Sequence, residues 1–122
     1  MESLATRSPQ SLIPLRTNWF HILAVLADGD QHGYAIMQQV NERTQGKLRL
    51  WPATLYGAIK KLLNEELISE TEIADRPGPD LDDARRRYYR LTPFGHAVLS
   101  AELSRLRELV NFVEARVRKA EA

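Results

Sequence analysis

The chain has 122 residues and a formal net charge of +1, which leaves room for one compact domain and argues against a general coat for nucleic acid. The absence of cysteine excludes disulfide frameworks, thiolate nucleophiles and cysteine zinc sites. No apolar stretch approaches the roughly eighteen residues that cross a bilayer, and residues 1–14 lack the apolar block of a secretion signal, so we expect a cytoplasmic protein.

The first part of the chain predicts an arm and two helices. Residues 1–14 mix serine and proline with scattered apolar side chains, which indicates a flexible N-terminal arm. Apolar residues then recur at helical spacing from 15 to 26, with Thr17 placed to cap this first helix. A second amphipathic helix is expected to begin near Gly33 and to stop at Gly46.

A third helix follows a short alternating segment. Residues 47–50 alternate polar and apolar side chains, which predicts a short strand leading to Pro52, a good first residue of a helix. The helix is expected to run to about Glu65. From Arg43 to Asn64 the chain carries five cations and no carboxylate, so the positive charge is concentrated here.

The outer face of the third helix suits a DNA major groove. On a helical wheel the apolar side chains face one way, while the opposite side carries small, hydroxyl, amide and basic groups that can contact bases and phosphates. These candidate DNA-binding residues are Ala53, Thr54, Tyr56, Gly57, Lys60, Lys61 and Asn64. The glycine costs about 1 kcal/mol against alanine inside a helix, and close approach to a groove would offset that cost. The alternative is an ordinary solvated face.

Two short extended segments, residues 67–73 and 86–91, predict a hairpin whose long tip, residues 74–84, is acidic. Several cations and a tyrosine at its base are candidates for phosphate contacts: Arg85, Arg86, Arg87 and Tyr88. The alternative for the arginines is pairing across the hairpin with Glu70 and Glu72, which would contribute little to stability.

From Pro93 to about Lys119 a long helix carries apolar residues at alternating spacings of four and three, as in a seam between paired helices. The seam residues, our candidates for dimerisation, are Leu99, Leu103, Leu106, Val110, Val113 and Val117. The alternative is that this face packs on the chain's own first helix. Trp19 and Phe112 are candidates for bordering an effector cavity between protomers, although aromatic residues at helical spacing are more often core.

This order of elements predicts a mainly α, α+β fold, a winged helix-turn-helix with a long C-terminal dimerisation helix. We divide the chain into the arm at residues 1–14, a DNA-binding domain at 15–92 and the dimerisation helix at 93–122.

Four sequence blocks resemble the PadR family of transcriptional regulators. They are Phe20-His21-Ile22-Leu23, His32-Gly33-Tyr34, Thr54-Leu55-Tyr56 with Ile59-Lys60-Lys61-Leu62, and Arg86 through Pro93 with Gly95. The resemblance implies a cytoplasmic dimer that binds palindromic operator DNA, usually represses, and is often released by a small molecule such as a phenolic acid. It also implies that the turn containing His32 and Tyr34 contacts the phosphate backbone, that the third helix contacts bases, and that the arginine-rich strand grips phosphate.

The chain departs from the family pattern at three positions. Ala53 and Glu66 each replace an expected glycine, which puts base preference near residue 53 and the turn after the third helix in doubt. Trp51 stands where a small capping residue is common, and its ring is expected to be partly exposed, with a packing role favoured over stacking on another surface.

Other functions are weighed against DNA binding. The three histidines are dispersed, and the chain has no His-Glu-x-x-His spacing, phosphate-binding glycine loop or Gly-x-Ser-x-Gly turn, so catalysis, a metal site and a cofactor are not expected. The more serious alternative is a winged-helix adaptor that binds protein through the acidic tip and the seam.

Overall fold

The computed structural model describes residues 7–71 and 87–122, and within them it confirms a helical domain with a small antiparallel sheet. The elements are α1 (Thr17–Leu26), β1 (Gln31–His32), α2 (Gly33–Arg43), α3 (Pro52–Asn64), β2 (Ile68–Thr71), β3 (Tyr88–Leu91) and α4 (Pro93–Glu121). The strand order is β1-β3-β2, with both pairs antiparallel. This is a winged helix-turn-helix followed by one long helix.

All four helices and the start of β2 contribute to a single core. Its fully buried side chains include Ile22, Leu23, Ile36, Leu55, Leu62, Leu67 and Val98. Burying each such side chain contributes about 1.5–3 kcal/mol. The core therefore holds α3 by one face and leaves its other face outside.

The segment between α2 and α3 is a turn, so the predicted strand at residues 47–50 is wrong. The side chains of this segment do alternate in burial: Leu48 is half-buried and Leu50 is buried, while Lys47 and Arg49 are exposed. No strand in the described ranges pairs with this segment. Its backbone is held instead by the Thr44 hydroxyl, which receives a hydrogen bond from the Leu48 N–H at 3.0 Å.

The start of α1 differs by one position from the prediction. Thr17 is the first helical residue, Arg16 is the N-cap, and no side chain caps the helix end. The preceding Leu15 N–H donates to the Glu102 carboxylate at 2.8 Å, which ties this end of the helix to α4.

Residues 7–14 pack on the domain, although they belong to the segment predicted as a flexible arm. Pro9–Leu12 form a 3-10 turn, and Leu12 and Ile13 pack against the core. Arg7 bonds to the carboxylate of Glu65 and, at 2.6 Å, to its backbone oxygen. The prediction of an arm at residues 1–6 lies outside the described residues.

The C-terminal end of α3 closes with a residue in the left-handed region. Glu66 has φ +61°, its N–H donates to the Leu63 carbonyl, and the Leu67 N–H donates to the Leu62 carbonyl. These two bonds form a Schellman motif, in which glycine is the usual residue. The turn after α3 therefore has the usual Schellman geometry, although glutamate occupies the left-handed position.

The first turn of α4 packs directly on the backbone before β2. A Cβ on Gly95 would lie 2.0 Å from the Leu67 carbonyl oxygen, so only glycine permits this approach. Thr92 caps the helix by accepting from the Gly95 N–H at 2.9 Å. Beyond Leu106 every residue of α4 is exposed. Among the described helices, none has an apolar run long enough to cross a membrane.

Candidate nucleic-acid interface

The outer face of α3 is the one that the helical wheel predicts. Leu55, Ile59 and Leu62 are buried, and the apolar side therefore faces the core. Each of the seven candidates on the other side is exposed: Ala53, Thr54, Tyr56, Gly57, Lys60, Lys61 and Asn64. We call these seven residues the recognition face.

Gly33 and Gly57 both lie at the recognition face, but they differ in whether packing requires a glycine. A Cβ on Gly33 would lie 2.4 Å from the Tyr56 hydroxyl, so the first residue of α2 must be small for Tyr56 to lie across it. A Cβ on Gly57 would meet nothing within 4 Å. Packing among the described residues therefore does not require a glycine at position 57. Close approach of a ligand to the recognition face would require a small residue there.

The turn that opens α2 is built around His32. Its Nδ1 accepts a hydrogen bond from the Ala35 N–H at 3.1 Å and so caps the helix. The Tyr34 ring lies parallel to the imidazole at 6.5 Å between centroids and is 53% exposed. The Tyr88 ring meets the imidazole edge-on at 5.3 Å and is only 8% exposed. Tyr88 thus supports His32 from the sheet side, while Tyr34 faces outward.

The strands β2 and β3 form the wing, and β3 carries two arginines in ion pairs. The Arg87 guanidinium donates to both carboxylate oxygens of Glu70 at 3.1 Å, the pairing that the sequence offers as the alternative to DNA contact. The Arg87 side chain is nevertheless 71% exposed. Arg90 binds Asp30 at 3.1 and 2.8 Å and so ties β3 to the turn before β1. Arg85 and Arg86 lie outside the described residues.

Four cations in α3 and in the turn before it have no carboxylate partner in the described parts of the chain: Lys47, Arg49, Lys60 and Lys61. Three arginines of other elements, Arg43, Arg87 and Arg90, are each paired. An unpaired cluster of cations attracts polyanions, because no local counter-charge reduces its field. The cluster includes Lys47 and Arg49, which are counted above among the cations concentrated in this part of the sequence but are not named as DNA-binding candidates.

A surface cavity of about 370 Å³ lies between the start of α1 and the recognition face. Arg16, Asn18 and Trp19 line it from α1 and the residue before it, and Thr54, Gly57 and Lys61 are among its residues from α3. Trp19 therefore borders the recognition face. Phe112, its predicted partner at an effector cavity, lies elsewhere in the chain, 54% exposed beneath the Arg116 guanidinium.

The seam of α4 is exposed in its C-terminal part. Leu103, Val110, Val113 and Val117 are 43–53% exposed, whereas Leu99 and Leu106 are half-buried. Leu109 and Phe112 are also exposed and widen the apolar surface. A monomer would leave all these side chains in water.

In residues 7–71 and 87–122, no three His, Asp or Glu side chains are grouped so that they could hold a metal ion. What the described surface offers is an exposed helix with unpaired cations, flanked by a capped turn and an arginine-bearing strand.

Comparison with known proteins agrees with this geometry. The model of the transcriptional regulator PadR-like family matches residues 22–101. The chain is 33% identical over 94 residues to transcriptional regulator Rv3488 of Mycobacterium tuberculosis, covering 76% of this chain and 78% of that protein. It is 30% identical over 93 residues to an uncharacterised protein X of Lysinibacillus sphaericus, covering 76% and 81%.

A solved structure shares the fold. The PadR family transcription regulator from Clostridium difficile R20291 superposes with a TM-score of 0.69 at 25% identity, covering 84% of this chain and 99% of that one.

Proposed function

Because this chain belongs to the PadR-like family of transcriptional regulators, we propose that it is a dimeric repressor that binds a palindromic operator through the recognition face. Regulators of this family bind operator DNA and form dimers; they are not enzymes. The specific assignments that follow, from residues to DNA, dimer and effector, are our proposals.

The observation that carries the proposal is the unpaired charge of the recognition face. Lys60 and Lys61 are exposed without a carboxylate partner in the described ranges, and Gly57 leaves the helix surface open between them and Ala53. In this arrangement α3 enters the major groove, Lys60 and Asn64 contact base edges, and Tyr34 and Arg87 contact phosphates on either side.

A two-fold dimer through the α4 seam accounts for the palindrome. Pairing buries the exposed Val110, Val113 and Val117 against their symmetry mates, and it places two recognition faces about 34 Å apart, one turn of DNA. Occupation of both half-sites excludes polymerase from the same DNA, which is the physical basis of repression.

We also propose that a flat aromatic effector releases the repressor. Trp19 borders the recognition face and Phe112 is exposed beside the seam, so a ligand touching either ring would act on DNA binding or on dimer geometry. Titration of a phenolic acid into the protein–operator complex tests this, with release of DNA supporting the proposal and unchanged affinity contradicting it.

Selection of bound duplexes from a random pool tests the main proposal. We expect a palindromic consensus with half-sites one turn apart. Affinity should fall with salt at a log–log slope of about −5 to −7, since six to eight phosphates are neutralised per dimer. Enrichment of no sequence would contradict the proposal and favour the protein-binding adaptor.

Two substitutions separate the roles of α3 and the wing. Lys60→Ala should weaken operator binding and change base preference at one position of each half-site. Arg87→Ala should weaken all duplexes similarly and flatten the salt slope, because it removes a phosphate contact. Equal losses with unchanged slope and preference would contradict this division. Lys119→Ala, at the exposed end of α4, is the control for loss of a positive charge.

A further inference from the structure

We propose that Trp51 is a further DNA-contacting residue, whose indole packs on an apolar edge of the duplex, either a thymine methyl group or a deoxyribose. Lys47 and Arg49 flank it and hold the neighbouring phosphates. The inference rests on the proposed function, because it assumes that α3 lies in the major groove. It extends the interface into the turn between α2 and α3.

Trp51 is exposed to an unusual degree. Its side chain is 63% exposed, more than any other large apolar side chain in the described ranges, including Phe112 at 54%. No aromatic ring or cation of the described residues packs on it. The ring is thus partly exposed, as the sequence predicts.

The position of Trp51 also costs the helix a cap. Trp51 is the N-cap of α3 and makes no side-chain hydrogen bond there. Serine, threonine, asparagine or aspartate at an N-cap typically contributes about 1 kcal/mol relative to a residue that cannot accept. The chain thus has, at the start of α3, a large and mostly exposed apolar side chain that does not cap the helix.

The surrounding charge indicates what covers the indole. Residues 47, 49 and 51 are exposed, whereas Leu48 and Leu50 turn toward the core. Two cations with no carboxylate partner among the described residues therefore share the outer side of the turn with the indole. No carboxylate occurs from residue 43 to residue 64. This strip runs directly into Ala53 and Thr54 of the recognition face. A polyanion with apolar edges fits it, and an apolar protein surface does not.

Duplex DNA offers such edges at this place. The N-terminal residues of a recognition helix are the ones that contact base edges in the major groove, and the thymine C5-methyl is the apolar group exposed there. Deoxyribose presents a second apolar surface at the groove wall. Both would be desolvated by the indole while Lys47 and Arg49 neutralise phosphates.

Tryptophan fluorescence tests the contact directly, because the chain contains only Trp19 and Trp51. In a Trp19→Phe variant the sole indole is Trp51. We expect its emission to change in intensity and wavelength on titration with the selected operator duplex, with an end point at the stoichiometry found by gel shift. The same variant, titrated with a duplex that lacks the selected consensus, is the control for general effects of DNA.

A double-mutant cycle, which combines a substitution in the protein with one in the DNA, identifies the apolar edge of the duplex that the indole contacts. Trp51→Ser should lower operator affinity about five- to tenfold. It should leave thermal stability equal or higher, because serine restores the cap, so a loss of affinity cannot be attributed to unfolding. If the edge is a thymine methyl, replacing that thymine by deoxyuridine weakens binding of the natural protein but not of Trp51→Ser. If the edge is deoxyribose, the serine variant loses affinity equally on both duplexes.

The results that overturn the inference are distinct from those that overturn the proposed function. Unchanged Trp51 emission and unchanged affinity of Trp51→Ser, with binding that still depends on Lys60, would reject the Trp51 contact alone. Absence of any duplex binding would reject both.

Discussion

If α3 enters the major groove as we propose, Gly57 is a residue at which helix stability and DNA binding oppose each other. A glycine within a helix costs about 1 kcal/mol relative to alanine, and a methyl group at this position would meet no atom within 4 Å. Packing within residues 7–71 and 87–122 therefore does not explain the glycine. In the proposed complex a base pair would occupy the space above it.

We predict that Gly57→Ala raises the free energy of unfolding by up to about 1 kcal/mol and weakens operator binding at least several-fold. Chemical denaturation and gel shift measure the two effects. Ser100→Ala, at an exposed position of α4, is the control that should stabilise slightly without changing affinity. Unchanged affinity of Gly57→Ala would show that DNA does not approach this part of the helix.

Glu66 has a backbone conformation that its side chain disfavours. A residue other than glycine in the left-handed region costs about 1–2 kcal/mol, and Glu66 has φ +61°. We predict that Glu66→Gly stabilises the protein by about 1 kcal/mol, whereas Glu66→Ala does not, because alanine keeps the Cβ that causes the strain. Thermal denaturation of both variants distinguishes backbone strain from loss of a charge. Equal effects of the two would contradict the explanation.

At the scale of elements, local patterns predict the four helices and the two hairpin strands, β2 and β3, but they do not predict β1. The helical periodicity places all four helices and the exposed side of α3, because both follow from spacing along one segment. By contrast, β1 has two residues and exists only through its pairing with Tyr88 and Tyr89. Residues 47–50 are the opposite case. Their side chains alternate between buried and exposed, but no strand in the described ranges pairs with them, so they form a turn and not a strand. The role of Tyr88 beneath His32 depends on the same non-local pairing.

The contact between α4 and the start of α1 is also non-local, and it is held by a buried charge. Glu102 is 2% exposed and accepts from Arg105 at 2.5 and 3.1 Å and from the Leu15 N–H at 2.8 Å. Hydrogen bonds from Arg105 and Leu15 lower the pKa of this carboxyl below its ordinary value, against the opposing effect of burial. The ionised form therefore stabilises the fold.

We predict that Glu102→Gln destabilises the protein at pH 7 by about 1–2 kcal/mol, because the amide loses a charge-assisted bond. A lowered folded-state pKa contributes stability above the ordinary glutamate pKa, about 4.3, that is lost as pH falls through the folded-state value. The difference between the natural protein and the variant should thus shrink in acid. Denaturation between pH 7 and pH 3 measures it, with the exposed Glu108→Gln as the control. A constant difference would contradict the assignment.

At the scale of the whole molecule, the protein divides into a packed domain and a helix that needs a partner. Val113 is 47% exposed and Ala115, two residues on, is also exposed on a different side of α4. Neither contributes to the buried core, so substitution at either position leaves the domain folded. This makes the pair suitable for testing the proposed seam.

We predict that Val113→Asp converts the protein to a monomer and lowers operator affinity at least a hundredfold, because two half-sites are no longer bound together. Ala115→Asp should stay dimeric with nearly unchanged affinity. Analytical ultracentrifugation and gel shift measure both variants. A dimer that survives Val113→Asp but not Ala115→Asp would place the interface on the other side of the helix.

The length of α4 affects how strictly the proposed dimer would select operators by the spacing of their half-sites. Its 29 residues span about 43 Å at 1.5 Å per residue. The helix is joined to the domain at one end, where Gly95 touches the Leu67 carbonyl and Glu102 holds Leu15. Over that length, a rotation of about 5° at the joint moves the far end by roughly 4 Å, close to the rise of one base pair. If the proposed dimer forms through α4, the range of rotation that the close contact at Gly95 permits would set the range of half-site spacings that the protein accepts.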